Sequence, residues 1–253
     1  MTQTFVERTE AQLIGCEMLN IRGAMNNFYE QVAHATFEGL QMLAKMSSAQ
    51  AATSGDDEKG VLYSQIILLE NSRYLSVELS KIVSNALTQI LRRADAMFND
   101  ALGSYVTSVL RRPLGKMMDF ADAVELLMRS TPANEITLHQ AYSKSAFKKL
   151  AKEYTSKDVR KAIETLAKRV QKHFAADEED ASAPAAAVTG GVAAEEEVVM
   201  QVWRSCEDGA AKEVDRFARI LKEVLPDGSV SIETSAQEVR KLFTAGAASL
   251  KRR

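Results

Sequence analysis

Apolar residues recur at spacings of three and four along almost the whole chain, and the places where that rhythm stops divide it. In residues 4–48, Leu13, Ile14, Met18, Ile21, Met25, Phe28, Tyr29, Val32, Phe37, Leu40, Leu43 and Ala44 keep helical spacing, which predicts amphipathic helix bent near Gly23. The small polar run SSAQAATSGDDEKG, residues 47–60, predicts a mobile loop. From residue 61 to 110 no proline interrupts the stripe of Ile66, Leu69, Leu75, Leu79, Ile82, Val83, Leu87, Ile90, Phe98, Leu102, Tyr105 and Val109. About fifty residues at roughly 1.5 Å of rise would make a rod of about 75 Å, which a break around residues 71–76 would shorten.

Pro113 is placed to open the next helix, where its fixed φ suits the first turn and its missing N–H costs nothing. Leu114, Met117, Met118, Ala121, Val124, Leu127 and Met128 give that helix its apolar stripe. Residues 130–137, with Pro132, predict a connecting loop, after which Ser143 is positioned to cap a short helix carrying Phe147, Leu150, Ala151 and Tyr154. Thr155 and Asp158, three apart, have the form of a capping box for a further helix with Val159, Ile163, Leu166, Val170 and Phe174 on one face. Residues 175–194, AADEEDASAPAAAVTGGVAA, carry no aromatic anchor and predict a disordered insertion. Structure resumes at Glu195 with about eight turns of amphipathic helix, Pro226, Asp227 and Gly228 form a turn, and Thr234 with Gln237 marks the start of the last helix. Trp203 and Phe217 are expected to anchor the core that joins these last helices to the preceding one.

The organisation that follows is a helix pair and loop over 1–60, a bundle with a long rod helix over 61–174, an insertion over 175–194 and closing helices over 195–253. With only 12 glycines and 4 prolines in 253 residues, composition points the same way, to an all-α protein whose long uninterrupted periodicity favours an elongated molecule. No apolar run approaches the roughly 20 residues needed to span a bilayer. Glu7, Arg8 and Glu10 stand where a secretory signal would need an apolar stretch, so the chain is expected to be cytosolic and soluble.

Charge changes the picture more than composition does. The net charge of −2 hides a sharp polarity: residues 141–174 hold ten Lys or Arg against three acids, whereas residues 175–200 hold seven acids and no Lys or Arg. Lys148, Lys149, Lys152, Lys157, Arg160, Lys161, Lys168, Arg169 and Lys172 therefore form a candidate contact face, with Lys144 beside them. Each such residue near an anionic leaflet contributes about 1 kcal/mol, falling off within a Debye length. One reading is a docking element for an acidic partner or an anionic membrane surface. The alternative is that the charges solubilise a bundle and meet the neighbouring acidic segment.

Chemistry finds little foothold. No GxGxxG, GxxxxGK[ST], GxSxG or HExxH occurs. Cys16 and Cys206 lie far apart, and His34, His139 and His173 are scattered, so neither metal, cofactor nor disulfide is expected. The carboxylate pairs Asp119 with Asp122 and Glu207 with Asp208 read as solvated helix faces with no nucleophile, base or oxyanion donor around them, and no catalytic residue is assigned. Nucleic-acid binding is disfavoured because the basic stretch lacks interleaved aromatics and the pI is about 6.0.

Five segments in order resemble the C-terminal region of the exocyst complex component one family: SYVTSVLRRPLGKMMDF (104–120), KEYTSKDVRKAIETLAKRVQKHF (152–174), VMQVW (199–203), DRFARIL (215–221) and LPDGSVSIETSAQEVRKLF (225–243). The resemblance covers roughly residues 66–243. It implies a rod of stacked helical bundles that tethers secretory vesicles to the plasma membrane, with other exocyst subunits as partners and anionic inner-leaflet phospholipid as a peripheral contact. The implied location is cytoplasmic and peripheral at the plasma membrane. Family members are much longer, and their lipid- and GTPase-binding domain lies near the N-terminus ahead of a coiled-coil region, neither of which this chain contains. A helical adaptor binding an acidic partner or anionic membrane outside the exocyst is the alternative.

Overall fold

The computed structural model describes residues 2–14, 20–53, 57–81, 87–174 and 192–250, and every regular element among them is helical. The fold is all-α. The helices are α1 (Thr2–Leu13), α2 (Ile21–Thr53), α3 (Asp57–Ser80), α4 (Thr88–Met128), α5 (Lys144–Lys152), α6 (Ser156–His173), α7 (Val192–Val224) and α8 (Ala236–Leu250). They divide into two compact units: Met1–Tyr105 with Glu178–Val198, and Val106–Asp177 with Val199–Arg253.

In the first unit α2 and α3 pack against each other. Tyr29 and Phe37 of α2, Leu79 of α3 and Leu87, Ile90 and Ala94 form one buried cluster, with Met25, Leu75, Leu91 and Met97 packed around it. Early residues of α2 thus meet late residues of α3, the register of an antiparallel hairpin. Arg22 donates to Glu10 of α1 at 2.7 Å, and Arg73 donates to Glu197 of α7 at 2.6 Å. The second unit takes in α4 from Val106 onward, α5, α6, α7 from Val199 onward and α8, and in it Met117, Val124, Phe147, Val170, Trp203, Phe217, Ile220 and Phe243 are almost wholly enclosed.

Several boundaries differ from expectation, each for a local reason. The first interruption is not at Gly23, which lies inside α2, but before it, where Asn20 takes a left-handed φ of 54°. The polar run 47–60 is helical to Thr53 and again from Asp57, because Ala and Ser do not end a helix whose other face packs. The long tract breaks after Ser80, not at 71–76. The polar side chains there satisfy themselves without leaving the helix: Asn71 donates to the Ile67 carbonyl, Ser72 to the Leu68 carbonyl, and Ser76 to Asp95 of α4 at 2.6 Å.

Pro113 does not open a helix; it lies inside α4. Buried Val109, Leu110, Leu114 and Met117 on either side hold the helix together through it, against a cost of about 3 kcal/mol for an interior proline. Nearby, the Met117 N–H donates to the buried Tyr154 hydroxyl at 3.1 Å. The expected loop 130–137 is largely a short 3-10 helix over 133–138, and a second one follows over 140–142. The last helix is capped by Ser235, whose hydroxyl accepts from the Glu238 N–H at 3.2 Å. Thr234 is instead buried, donating to the Tyr154 carbonyl at 3.3 Å. The expected turn after α7 is present: Gly228 has φ 63°, and Asp227 accepts from both the N–H and the hydroxyl of Ser229. The predicted insertion falls outside the described residues as far as 191, while 192–194 belong to α7.

Candidate interaction surface on the basic helices

Local sequence explains why α5 and α6 present their charge outward. Thr155 caps α6, its hydroxyl accepting from the Asp158 N–H at 3.3 Å, which is the N-cap half of the box read from the sequence, while the Asp158 carboxylate accepts from the Thr155 hydroxyl at 2.6 Å. Lys172 stands in the last turn, where its positive charge complements the helix dipole. Val159, Ile163, Leu166, Ala167 and Val170 are buried. On α5, Phe147, Leu150 and Ala151 are buried, and Ser143 stands at the N-cap without a side-chain capping bond. The burial of these stripes leaves Lys148, Lys149, Lys152, Lys157, Arg160, Lys161, Lys168 and Lys172 exposed, with Arg169 half-buried.

The nine residues do not gather at one place. Lys157, Lys161, Lys168 and Lys172 are spaced four, seven and four apart, so they form one stripe along α6, about 22 Å long at 1.5 Å per residue, with Glu164 in its middle. To one side of that stripe Lys161 and Arg169 line a groove of about 310 Å³ with Arg112 and Pro113 of α4 and with Asp158 and Thr165. To the other side Arg160 and Lys168 line a groove of about 550 Å³ with Lys241 of α8. Lys148, Lys149 and Lys152 line neither groove. Lys144 is drawn away, pairing with Asp227 at 3.0 Å, and the bonds from Ser229 and Lys144 hold the Asp227 carboxyl down at about 2.

Apart from Arg169, none of the nine has an ion pair with another described residue. The positive field is also felt internally: burial, followed by Arg169, Arg112 and Lys172, lowers His173 to about 4 and keeps its imidazole neutral at physiological pH. Arg112 and Lys241 belong to this surface yet lie outside the basic stretch in sequence. Helix packing alone brings them there.

The carboxylates weighed for catalysis are occupied by cations. Arg111 pairs with Asp119 at 2.9 Å, and Arg240 pairs with Asp208 at 2.7 Å and with Glu207 at 3.7 Å. Arg216 of α7 reaches α4, donating to Asp122 at 2.6 Å and to both oxygens of Glu125 at 2.9 and 2.6 Å, while also meeting Glu213. This fork holds the Glu125 carboxyl below its usual range and raises the guanidinium. Cys206 is wholly buried and its thiol is pushed up to about 12. Cys16 lies outside the described residues. Among the described residues no three His, Cys, Asp or Glu side chains converge as metal ligands, and no helix is long and apolar enough to cross a membrane.

A second surface was invisible in the periodicity. On α2, Ile21, Phe28, Val32, Met42, Leu43 and Met46 are exposed, although helical spacing placed Ile21, Phe28, Val32 and Leu43 with the core. Exposed apolar positions in such number on one helix mark packing surfaces more often than accidents.

Comparison with known proteins adds a family to this geometry. The model of the family described as exocyst complex component Sec3, C-terminal, matches residues 1–227. Exocyst complex component 1 of Drosophila melanogaster is 24% identical over 224 residues, covering 88% of this chain and 22% of the relative. That of Mus musculus is 24% identical over 219 residues, covering 86% and 21%, and that of Dictyostelium discoideum 19% over 181, covering 72% and 18%. The chain thus spans about a fifth of the length of the curated relatives it matches. The family match includes the first sixty residues, from which the sequence reading took only helical character, and stops short of most of the segment 225–243. No solved structure matches.

Proposed function

The chain belongs to the family of the exocyst Sec3 C-terminal region, and on that premise we propose that it is a non-catalytic part of an exocyst subunit that helps tether secretory vesicles to the plasma membrane through helix-to-helix contacts. The observation that carries this reading beyond the family is the basic face of α5 and α6, whose lysines stand exposed without ion pairs to described residues. Lysines without an ion pair to any described residue are available to external partners. The exposed apolar residues of α2 support the same mode, since helical bundles dock by burying such stripes.

The mechanism is mechanical and additive. Packed helices hold binding surfaces in fixed positions, and several modest contacts combine through effective concentration in place of one tight site. Other exocyst subunits are the first partners, and anionic inner-leaflet phospholipid is a peripheral second, each lysine near it adding about 1 kcal/mol. The chain then works in the cytoplasm, peripheral to the plasma membrane. Affinity capture of the tagged chain from cells, with mass spectrometry of copurifying proteins, tests this reading: exocyst subunits are expected, and their absence from a folded, helical sample overturns it.

A further inference from the structure

The groove between α6 and α8 is built for a helix more than for a small ligand or a flat membrane. Its α6 wall is formed by Arg160, Ile163, Glu164, Ala167, Lys168 and Gln171, at steps of three, one, three, one and three, which is one ridge of an α-helix. The α8 wall has Lys241 and Leu242 followed one turn later by Ala245 and Gly246. Two helical ridges flanking a channel leave space for the ridge of a third. From Ile163 to Gln171 the channel runs about 12 Å at 1.5 Å per residue, the length over which an amphipathic helix offers anchors at i, i+4 and i+7.

Chemistry narrows the occupant. The floor is apolar and low: Ile163 and Ala167 are buried, and Ala245 and Gly246 leave room above them. Gly246 has a separate reason to lack a side chain, because a Cβ there would lie 2.8 Å from Trp203 Cζ2. Ala245 is exposed and has no such constraint. The rim carries Arg160, Lys168 and Lys241 against the single acid Glu164. Arg160 and Lys168 are eight residues apart, about 12 Å along the axis. Carboxylates two turns apart on a facing helix match that separation, with a neutral or basic residue between them opposite Glu164. A bilayer surface can meet the rim but not the recessed floor.

We propose that the α6–α8 groove is the docking site for an acidic amphipathic helix of a partner protein, whose apolar side chains fill the floor while acids spaced two turns apart pair with Arg160, Lys168 and Lys241. This deepens the helix-to-helix reading above and rests on it.

The test uses the full chain and three synthetic helical peptides sharing one apolar stripe: one with glutamates two turns apart, one with lysines in their place, and one with the stripe scrambled. Binding is followed by fluorescence anisotropy, beside sedimentation with phosphatidylserine vesicles. The acidic peptide is expected to bind saturably, at least tenfold tighter than the other two. Ala245→Trp, which fills the channel from an exposed position, and Lys168→Glu are each expected to weaken it at least tenfold, with circular dichroism unchanged and vesicle binding by Ala245→Trp retained. No saturable binding, equal binding of the lysine peptide, or undiminished binding by Ala245→Trp overturns the proposal. If wild-type chain still captures exocyst subunits in that event, the groove alone is wrong; if it captures none, the broader reading fails with it.

Discussion

Trp203→Ala removes the largest fully enclosed side chain of the protein and tests how the second unit is held together. The indole is 1% exposed, its ring lies 4.5 Å from that of Phe243, and its N–H donates to the Phe243 carbonyl at 2.9 Å. A buried aromatic of about 150–250 Å² at about 25 cal/mol per Å² is worth about 4–6 kcal/mol. Residual compactness of the unfolded chain trims that to about 3–5, the range measured for aromatic truncations in cores. The hydrogen bond adds about 1 kcal/mol. A loss of about 4 kcal/mol is therefore expected for Trp203→Ala. Trp203→Phe, which keeps a ring but loses the donor, should cost about 1–2 kcal/mol. Gly246→Ala attacks the same packing from α8 by forcing a methyl against the ring edge, for about 1–3 kcal/mol. Urea denaturation followed by far-ultraviolet circular dichroism measures all three. In the unsubstituted protein the sole tryptophan reports the same transition by fluorescence. A loss below 1 kcal/mol for Trp203→Ala, or native emission like that of indole in water, would refute this packing.

Three further outcomes follow from individual groups. Tyr154→Phe leaves the Met117 N–H without its 3.1 Å acceptor beside the interior proline, so a loss of about 1–2 kcal/mol is expected in the same denaturation assay. His173 has a folded-state pKa near 4 against an ordinary 6.5, so the unfolded chain takes up its proton first; the stability due to the neutral imidazole is whole above pH 6.5 and falls as pH drops toward 4. Between pH 6.5 and 5, His173→Gln should flatten part of the decline, and identical slopes would contradict the assignment. In a Cys16→Ser background the Cys206 thiol, buried and pushed up to about 12, should react with an aromatic disulfide reagent only as fast as the protein opens, while rapid native-state labelling would contradict its burial.

Much of this was legible because the signals are local. The Thr155 and Asp158 cap, the buried stripe of α6 and the outward lysines all follow from residues within a few turns of one another. The errors came where distant packing outweighed a local rule. Pro113 reads as a helix start, yet the buried residues either side carry α4 through it; residues 71–76 read as a break, yet Asp95 from another helix takes the Ser76 hydroxyl. The grooves were illegible for the same reason, since Arg112 and Lys241 are brought to α6 only by the fold. So was the exposed side of α2, because periodicity reveals that a helix has an apolar face but not whether this chain covers it.

The central claim is that the basic face is a working contact of an exocyst subunit. Its most direct test is paired affinity capture of the tagged wild-type chain and a variant reversed at Lys148, Lys149, Lys168 and Lys172, with exocyst subunits quantified in each and helicity matched by circular dichroism. Wild type should recover exocyst subunits and the reversed chain at least several-fold less; equal recovery by both would remove the basic face from the function and leave its lysines as solubilising charge.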